Sequence, residues 1–122
     1  MKRTISILIE NKPGALARAV GLFHQRGYNI ESLNVAPLTD GTYSRMTVIT
    51  KGTENVVEQI TKQINKLIDV IKVENFVGDE GVGRELVLVK VNADSKTRGE
   101  ITQICDVFRG KIIDVSTSSL II

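Results

Sequence analysis

The stretch from Glu10 to Pro37 constrains this chain most. Its heart reads Asn11-Lys12-Pro13-Gly14-Ala15-Leu16 and then Gly27-Tyr28-Asn29-Ile30-Glu31-Ser32-Leu33. Ahead of it Ile5, Ile7 and Ile9 alternate with Thr4 and Ser6, the period of a strand with one buried face. Pro13 and Gly14 break that strand. Apolar residues then recur at Ala15, Leu16, Ala19, Val20, Leu22 and Phe23, which is helical spacing over 15–26. Gly27 is a natural stop, free to take φ > 0, and a second strand follows. A turn that opens directly into a helix exposes unpaired backbone N–H groups and partial positive charge. Such a place suits a small carboxylate, so the motif predicts a pocket for an amino-acid-like ligand rather than a reaction centre.

Residues 30–37 and 43–50 read as strands joined around Asp40-Gly41, a hairpin signal, with Pro37 at the end of its strand. Thr53 is placed to cap a helix, with Glu54 in its first turn and Val56, Val57, Ile60, Ile64, Leu67 and Ile68 on its apolar face. Residues 70–77 make a fourth strand. The order βαββαβ predicts an α+β fold over 1–77, with two helices on one face of a four-stranded antiparallel sheet, the ferredoxin-like solution. In a sheet of order 4-1-3-2 the strand near Leu33 to Pro37 is an edge. Edges are covered or paired, and pairing about a two-fold axis predicts a homodimer.

Residues 78–83 hold three glycines in six positions and read as a linker. From Arg84 a second unit is expected. Leu86, Leu88 and Val91 lie in an apolar strand, and Thr97-Arg98-Gly99-Glu100 has capping-box form. Ile101, Ile104, Cys105 and Phe108 follow at helical spacing, Gly110 ends the helix, and Lys111 to Val115 looks like a strand. Residues 84–122 therefore read as an incomplete C-terminal domain, a partial second ferredoxin-like unit without its second helix. The apolar end Leu120-Ile121-Ile122 carries no polar cap, which points to truncation and to a weaker second half.

Composition narrows the function classes. A net charge of +2 with interspersed signs argues against a nucleic-acid binder held by electrostatics. One cysteine allows no internal disulfide and favours a reducing compartment. Neither a signal peptide nor a membrane-length apolar run is visible, so a cytoplasmic protein off the membrane is expected. One histidine and one cysteine make a catalytic dyad or a transition-metal site a poor fit, so no catalytic or metal residue is expected. Cys105 reads as a buried structural thiol and His24 as solvated. Arg3, Arg18, Arg26 and Lys62 read as surface charges without a specific contact. Arg45 either pairs with an acid or stands exposed on its strand.

Glu10-Asn11-x-Pro13-Gly14-Ala15-Leu16, Gly21-Leu22-Phe23-x-x-Arg26-Gly27-Tyr28-Asn29-Ile30-Glu31-Ser32-Leu33 and Ser44-Arg45-Met46-Thr47 together resemble the small regulatory subunit of acetohydroxyacid synthase (acetolactate synthase). Glu85 to Lys90 and Phe108 to Val115 resemble the same family's second domain. The first unit on its own resembles an ACT domain, the amino-acid-sensing module. The resemblance implies a non-catalytic subunit that activates a large catalytic subunit and confers feedback inhibition by valine, with leucine or isoleucine as alternatives. It implies that thiamine diphosphate, FAD and Mg²⁺ belong to that partner, and none to this chain. It also implies an effector site at a dimer interface. Asn11, Pro13, Gly14, Ala15 and Leu16 would come from one protomer, and Asn29 and Ile30 from the other. The competing reading is a freestanding ACT-domain sensor of another pathway. An RNA binder would need paired aromatics on the central strands, and Tyr43 stands alone there. An acylphosphatase-like enzyme would need an arginine loop where this chain has Asn11-Lys12-Pro13-Gly14.

Overall fold

A computed structural model describes residues 2–77 and 81–122. Met1 and residues 78–80 of the expected linker lie outside the described residues. The chain divides into two compact units, Met1–Val82 and Gly83–Ile122.

In the first unit, β1 (Lys2–Glu10) leads into α1 (Ala15–Gln25), β2 (Ile30–Pro37), β3 (Tyr43–Lys51), α2 (Glu54–Ile64) and β4 (Val70–Phe76). The sheet order is β2-β3-β1-β4 and every pair is antiparallel, the ferredoxin-like arrangement. Ile7 sits opposite Met46 on one side and Val73 on the other. The period-2 pattern puts Ile5, Ile7, Ile9, Met46 and Val48 on one face, where Ala15, Ala19 and Phe23 of α1 and Val57, Ile60 and Ile64 of α2 bury them. The β2–β3 loop closes as Asp40-Gly41 foretells. Gly41 takes φ 72, and the Thr42 N–H donates to Asp40 Oδ1 at 3.0 Å.

Several expectations need correction. α2 ends at Ile64, so Ile68 is not on its apolar face; it lies in the following turn and is 92% exposed. Thr53 occupies the N-cap position of α2, but its side chain makes no capping hydrogen bond. Arg3 is not a surface charge. It sits one strand period before Ile5, opposite Thr50, and is therefore carried to the helix-covered face and buried. Arg45 does find partners: Nη1 donates to Ser6 Oγ at 2.8 Å and stands 3.9 Å from Glu74. Lys62 pairs with Glu58 one helical turn away.

In the second unit, β5 (Lys90–Asn92), α3 (Arg98–Val107), β6 (Asp114–Val115) and β7 (Ser119–Ile121) form a three-stranded antiparallel sheet of order β5-β7-β6 beside one helix. The strand expected from Leu86 onward begins only at Lys90, and Leu86 is 91% exposed. Val89 and Ile122 exchange backbone hydrogen bonds in both directions, and none of residues 84–88 has a strand partner among the described residues. The strand expected over 111–115 is likewise cut to Asp114–Val115.

Thr97-x-x-Glu100 is not the capping box. The reciprocal pair lies one turn earlier: Asp94 Oδ1 accepts from the Thr97 N–H at 2.9 Å, and Thr97 Oγ1 accepts from the Asp94 N–H at 3.2 Å. Cys105 is buried, as its place on the helix suggests, whereas Phe108 is 81% exposed. An apolar cavity of ≈ 330 Å³ lies along this helix, with Val91, Ile101, Cys105 and Ile122 in its walls.

Candidate functional site

The turn between β1 and α1 is held from three sides. The Asn11 N–H donates to Thr42 O at 3.0 Å, and Asn11 Nδ2 donates to Gly41 O at 2.8 Å, which ties the turn to the β2–β3 loop. The Lys12 N–H donates to Glu10 O, and the Ala15 N–H to Lys12 O. The Glu10 N–H donates to Asp69 O at 2.8 Å, which ties the turn to the start of β4. Gly14 is the N-cap residue of α1 at φ 82, a left-handed conformation that glycine adopts without penalty. No side-chain oxygen caps α1; the Ala15 N–H is taken by Lys12 O, and those of Leu16 and Ala17 have no acceptor among the described residues.

Arg18 projects from the second turn of α1 onto this site. Its Nε donates to Asp69 Oδ2 at 2.6 Å and its Nη2 to Oδ1 at 3.1 Å, a side-on fork. A Cβ added to Gly14 would lie 2.7 Å from Arg18 Nη1. Gly14 is thus required by its backbone angle and by the guanidinium beside it. The reading of Arg18 as a surface charge without a specific contact is overturned. No local signal could have found the pair, because its members are 51 residues apart and only the sheet brings them together. The Arg18 hydrogen bonds hold the Asp69 carboxyl below its usual range, with burial opposing. Glu10, 2.5 Å from Lys12, pushes the Lys12 ammonium up.

The structure brings together Asn11, Pro13, Gly14, Ala15 and Leu16. It does not bring Asn29 and Ile30 to them within one chain. Glu10 lies opposite Tyr43, whereas Ile30 lies opposite Thr50, seven residues further along β3. That is roughly 24 Å at strand rise. Asn29 Nδ2 is engaged with Glu31 Oε1 at 3.1 Å, and its carbonyl accepts from Thr50 Oγ1 at 2.7 Å.

Comparison with known proteins gives this geometry a family. Residues 5–72 match the ACT domain model of acetohydroxyacid synthase small subunits, and residues 84–122 match the model for the small subunit of acetolactate synthase. The chain belongs to the acetolactate synthase small-subunit family. It is 51% identical over its whole length to the probable acetolactate synthase small subunit of Archaeoglobus fulgidus, covering 76% of that protein. It is 52% identical over 118 residues to the small subunit of acetolactate synthase isozyme 3 of Escherichia coli, which is 97% of this chain and 72% of that protein. The crystal structure of the acetolactate synthase small subunit from Thermotoga maritima matches with a TM-score of 0.85 at 36% identity, covering 99% of this chain and 76% of that one. In family terms the β1–α1 turn is thus the first turn of an ACT domain. Among the described residues no helix is long and apolar enough to cross a membrane.

Proposed function

We propose that this chain is the non-catalytic regulatory subunit of an acetolactate synthase. It raises the activity of a catalytic partner and confers feedback inhibition by valine. The observation that carries the effector site is the uncapped start of α1 at Gly14, rigidly tied to its neighbours yet left without an acceptor of its own. Open N–H groups and the positive end of the helix favour the carboxylate of an amino acid. The relatives' names support the partner: a small subunit serves a larger one, and the thiamine diphosphate, FAD and Mg²⁺ of the reaction belong there.

The separation between the turn and Asn29–Ile30 supports a shared pocket. β2 is an edge strand. Two copies joined antiparallel along β2 would set Ile30 of one beside Pro37 of the other. Pro37 lies opposite Ser44, next to the strand end that faces Glu10. A homodimer of this kind carries Asn29 and Ile30 of the second copy toward Asn11 and Gly14 of the first. The site prefers branched apolar side chains, and one methylene discriminates among them by about 1–3 kcal/mol. We place the protein in the cytoplasm, where neither nucleic acid nor membrane is its ligand. The test is reconstitution with the catalytic subunit. The chain alone should turn over no pyruvate. Added to its partner, it should raise the rate and make it sensitive to valine. An unchanged rate and no valine response would sink the reading.

A further inference from the structure

We propose that Arg18 is the residue that reads the effector's carboxylate, an assignment that rests on the effector site proposed above. Asp69 grips the guanidinium through Nε and Nη2, at 2.6 and 3.1 Å. The third nitrogen, Nη1, has no hydrogen-bond partner among the described residues and lies 2.7 Å from the place a Gly14 Cβ would take. The Asp69 side chain is 7% exposed and that of Arg18 49% exposed. One edge of the guanidinium is therefore pinned to a buried acid. The other edge is open to solvent, beside the turn that holds Asn11 and Gly14.

This differs from a surface ion pair, which contributes little because two long side chains must be ordered to make it. Here the acid is rigid. Its backbone carbonyl accepts from Glu10, so Asp69 is fixed to the strand that leads into the turn. The rotamer freedom that Arg18 would lose on meeting a ligand is already lost to Asp69. What remains at Nη1 is a preoriented cationic donor, the partner that a carboxylate accepts most strongly. Gly14 keeps that position clear, since any side chain there would collide with Nη1. The ligand class is a free amino acid with its α-carboxylate intact; an amide of the same amino acid would keep the ammonium and the side chain but lose this contact.

The test is calorimetric titration of the purified full chain with valine and with valinamide, using wild type, Arg18→Gln and Arg18→Lys, and a thermal melt of each. Wild type should bind valine at least tenfold tighter than valinamide. Arg18→Gln should lose at least tenfold for valine and less than twofold for valinamide, so that the discrimination collapses; its Tm should fall as well, because Asp69 loses its partner, which is why the ratio of the two ligands and not the affinity alone is read. Arg18→Lys keeps the charge without the fork and should lose at least threefold of the discrimination; it decides the matter if the glutamine variant does not fold. Retained discrimination in the variants overturns the role of Arg18 and leaves the effector site standing. Equal loss for both ligands makes Arg18 structural only and overturns the role as well. Failure of wild type to bind valine, leucine or isoleucine overturns the site itself, and the assignment with it.

Discussion

Two of the three β-to-α turns of this chain, those before α1 and α3, are closed in different ways. Both must satisfy the N–H groups at the start of a helix. Before α3, Asp94 supplies its own carboxylate: Oδ1 accepts from the Lys96 N–H at 2.8 Å and from the Thr97 N–H at 2.9 Å. Before α1, Gly14 supplies nothing. The turn before α3 holds an internal anion on the N–H groups of Lys96 and Thr97, ahead of the helix, and the turn before α1 holds none. That contrast supports reading the first turn as the receiving one.

The strongest way to break the contrast is to make the first turn resemble the second. Gly14→Asp puts a carboxylate at the α1 start, beside Arg18. Two like charges about 4 Å apart at an effective dielectric near 20 repel by about 4 kcal/mol, nearly a thousandfold in affinity. Solvent screening and pairing of the new acid with Arg18 reduce this, so valine affinity should fall at least tenfold. Left-handed strain at φ 82 and displacement of Arg18 should lower the Tm, partly offset because negative charge at a helix start is favoured, and activation of the catalytic subunit should survive wherever the variant remains folded. A valine titration of the reconstituted enzyme checks it. An unchanged inhibition curve would place the effector elsewhere.

The reverse change, Asp94→Ala, opens the second turn. Loss of the cap should lower the Tm on the order of 5 °C and leave valine inhibition untouched. The N–H groups of Thr97 and Lys96 hold the Asp94 carboxyl below its ordinary value of 3.8. Its stabilisation is therefore complete above that value and fades as pH falls through the lower native one. Melts of wild type and Asp94→Ala should differ at neutral pH and converge in acid. A constant gap would mean the cap acts through something other than charge.

α1 and α3 stop by the same pair of bonds. The Tyr28 N–H donates to Phe23 O and the Gly27 N–H to His24 O; the Gly110 N–H donates to Cys105 O and the Arg109 N–H to Asp106 O. Gly27 takes the left-handed position at φ 70, but Arg109 takes it at φ 56 in α3. Gly27→Ala should cost about 1 kcal/mol. Arg109→Gly should gain about 0.5 kcal/mol, relief of the left-handed strain being partly offset by the entropy of the unfolded chain. Denaturant midpoints measure both, and a destabilising Arg109→Gly would show that its side chain does more than hold a strained angle.

The same helix ends show what sequence reading could reach. Gly27 was legible because one glycine served both as the stop and as the left-handed residue. In α3 these roles separate. Gly110 is needed because a Cβ there would lie 2.9 Å from Cys105 Sγ, a packing demand that no local pattern encodes. The first unit's strands and helices were legible because their apolar periods continue without interruption into a shared core. The apolar residues of 84–89 were misleading, because a run can favour a strand without supplying the partner that makes one. Arg3 needed only one more step of the β1 period, but its charge masked the pattern. At the site, the turn was legible from Asn11-x-Pro13-Gly14, whereas the Arg18–Asp69 fork was not, because it depends on where β4 begins.

β1 has a further consequence. It is hydrogen-bonded along both edges, to β3 and to β4, and it runs straight into Asn11. A strand held on both sides cannot fray alone; its amides are released only when the whole unit opens. The turn therefore rides on a strand bonded along both edges, and its shape lasts as long as the unit stays folded.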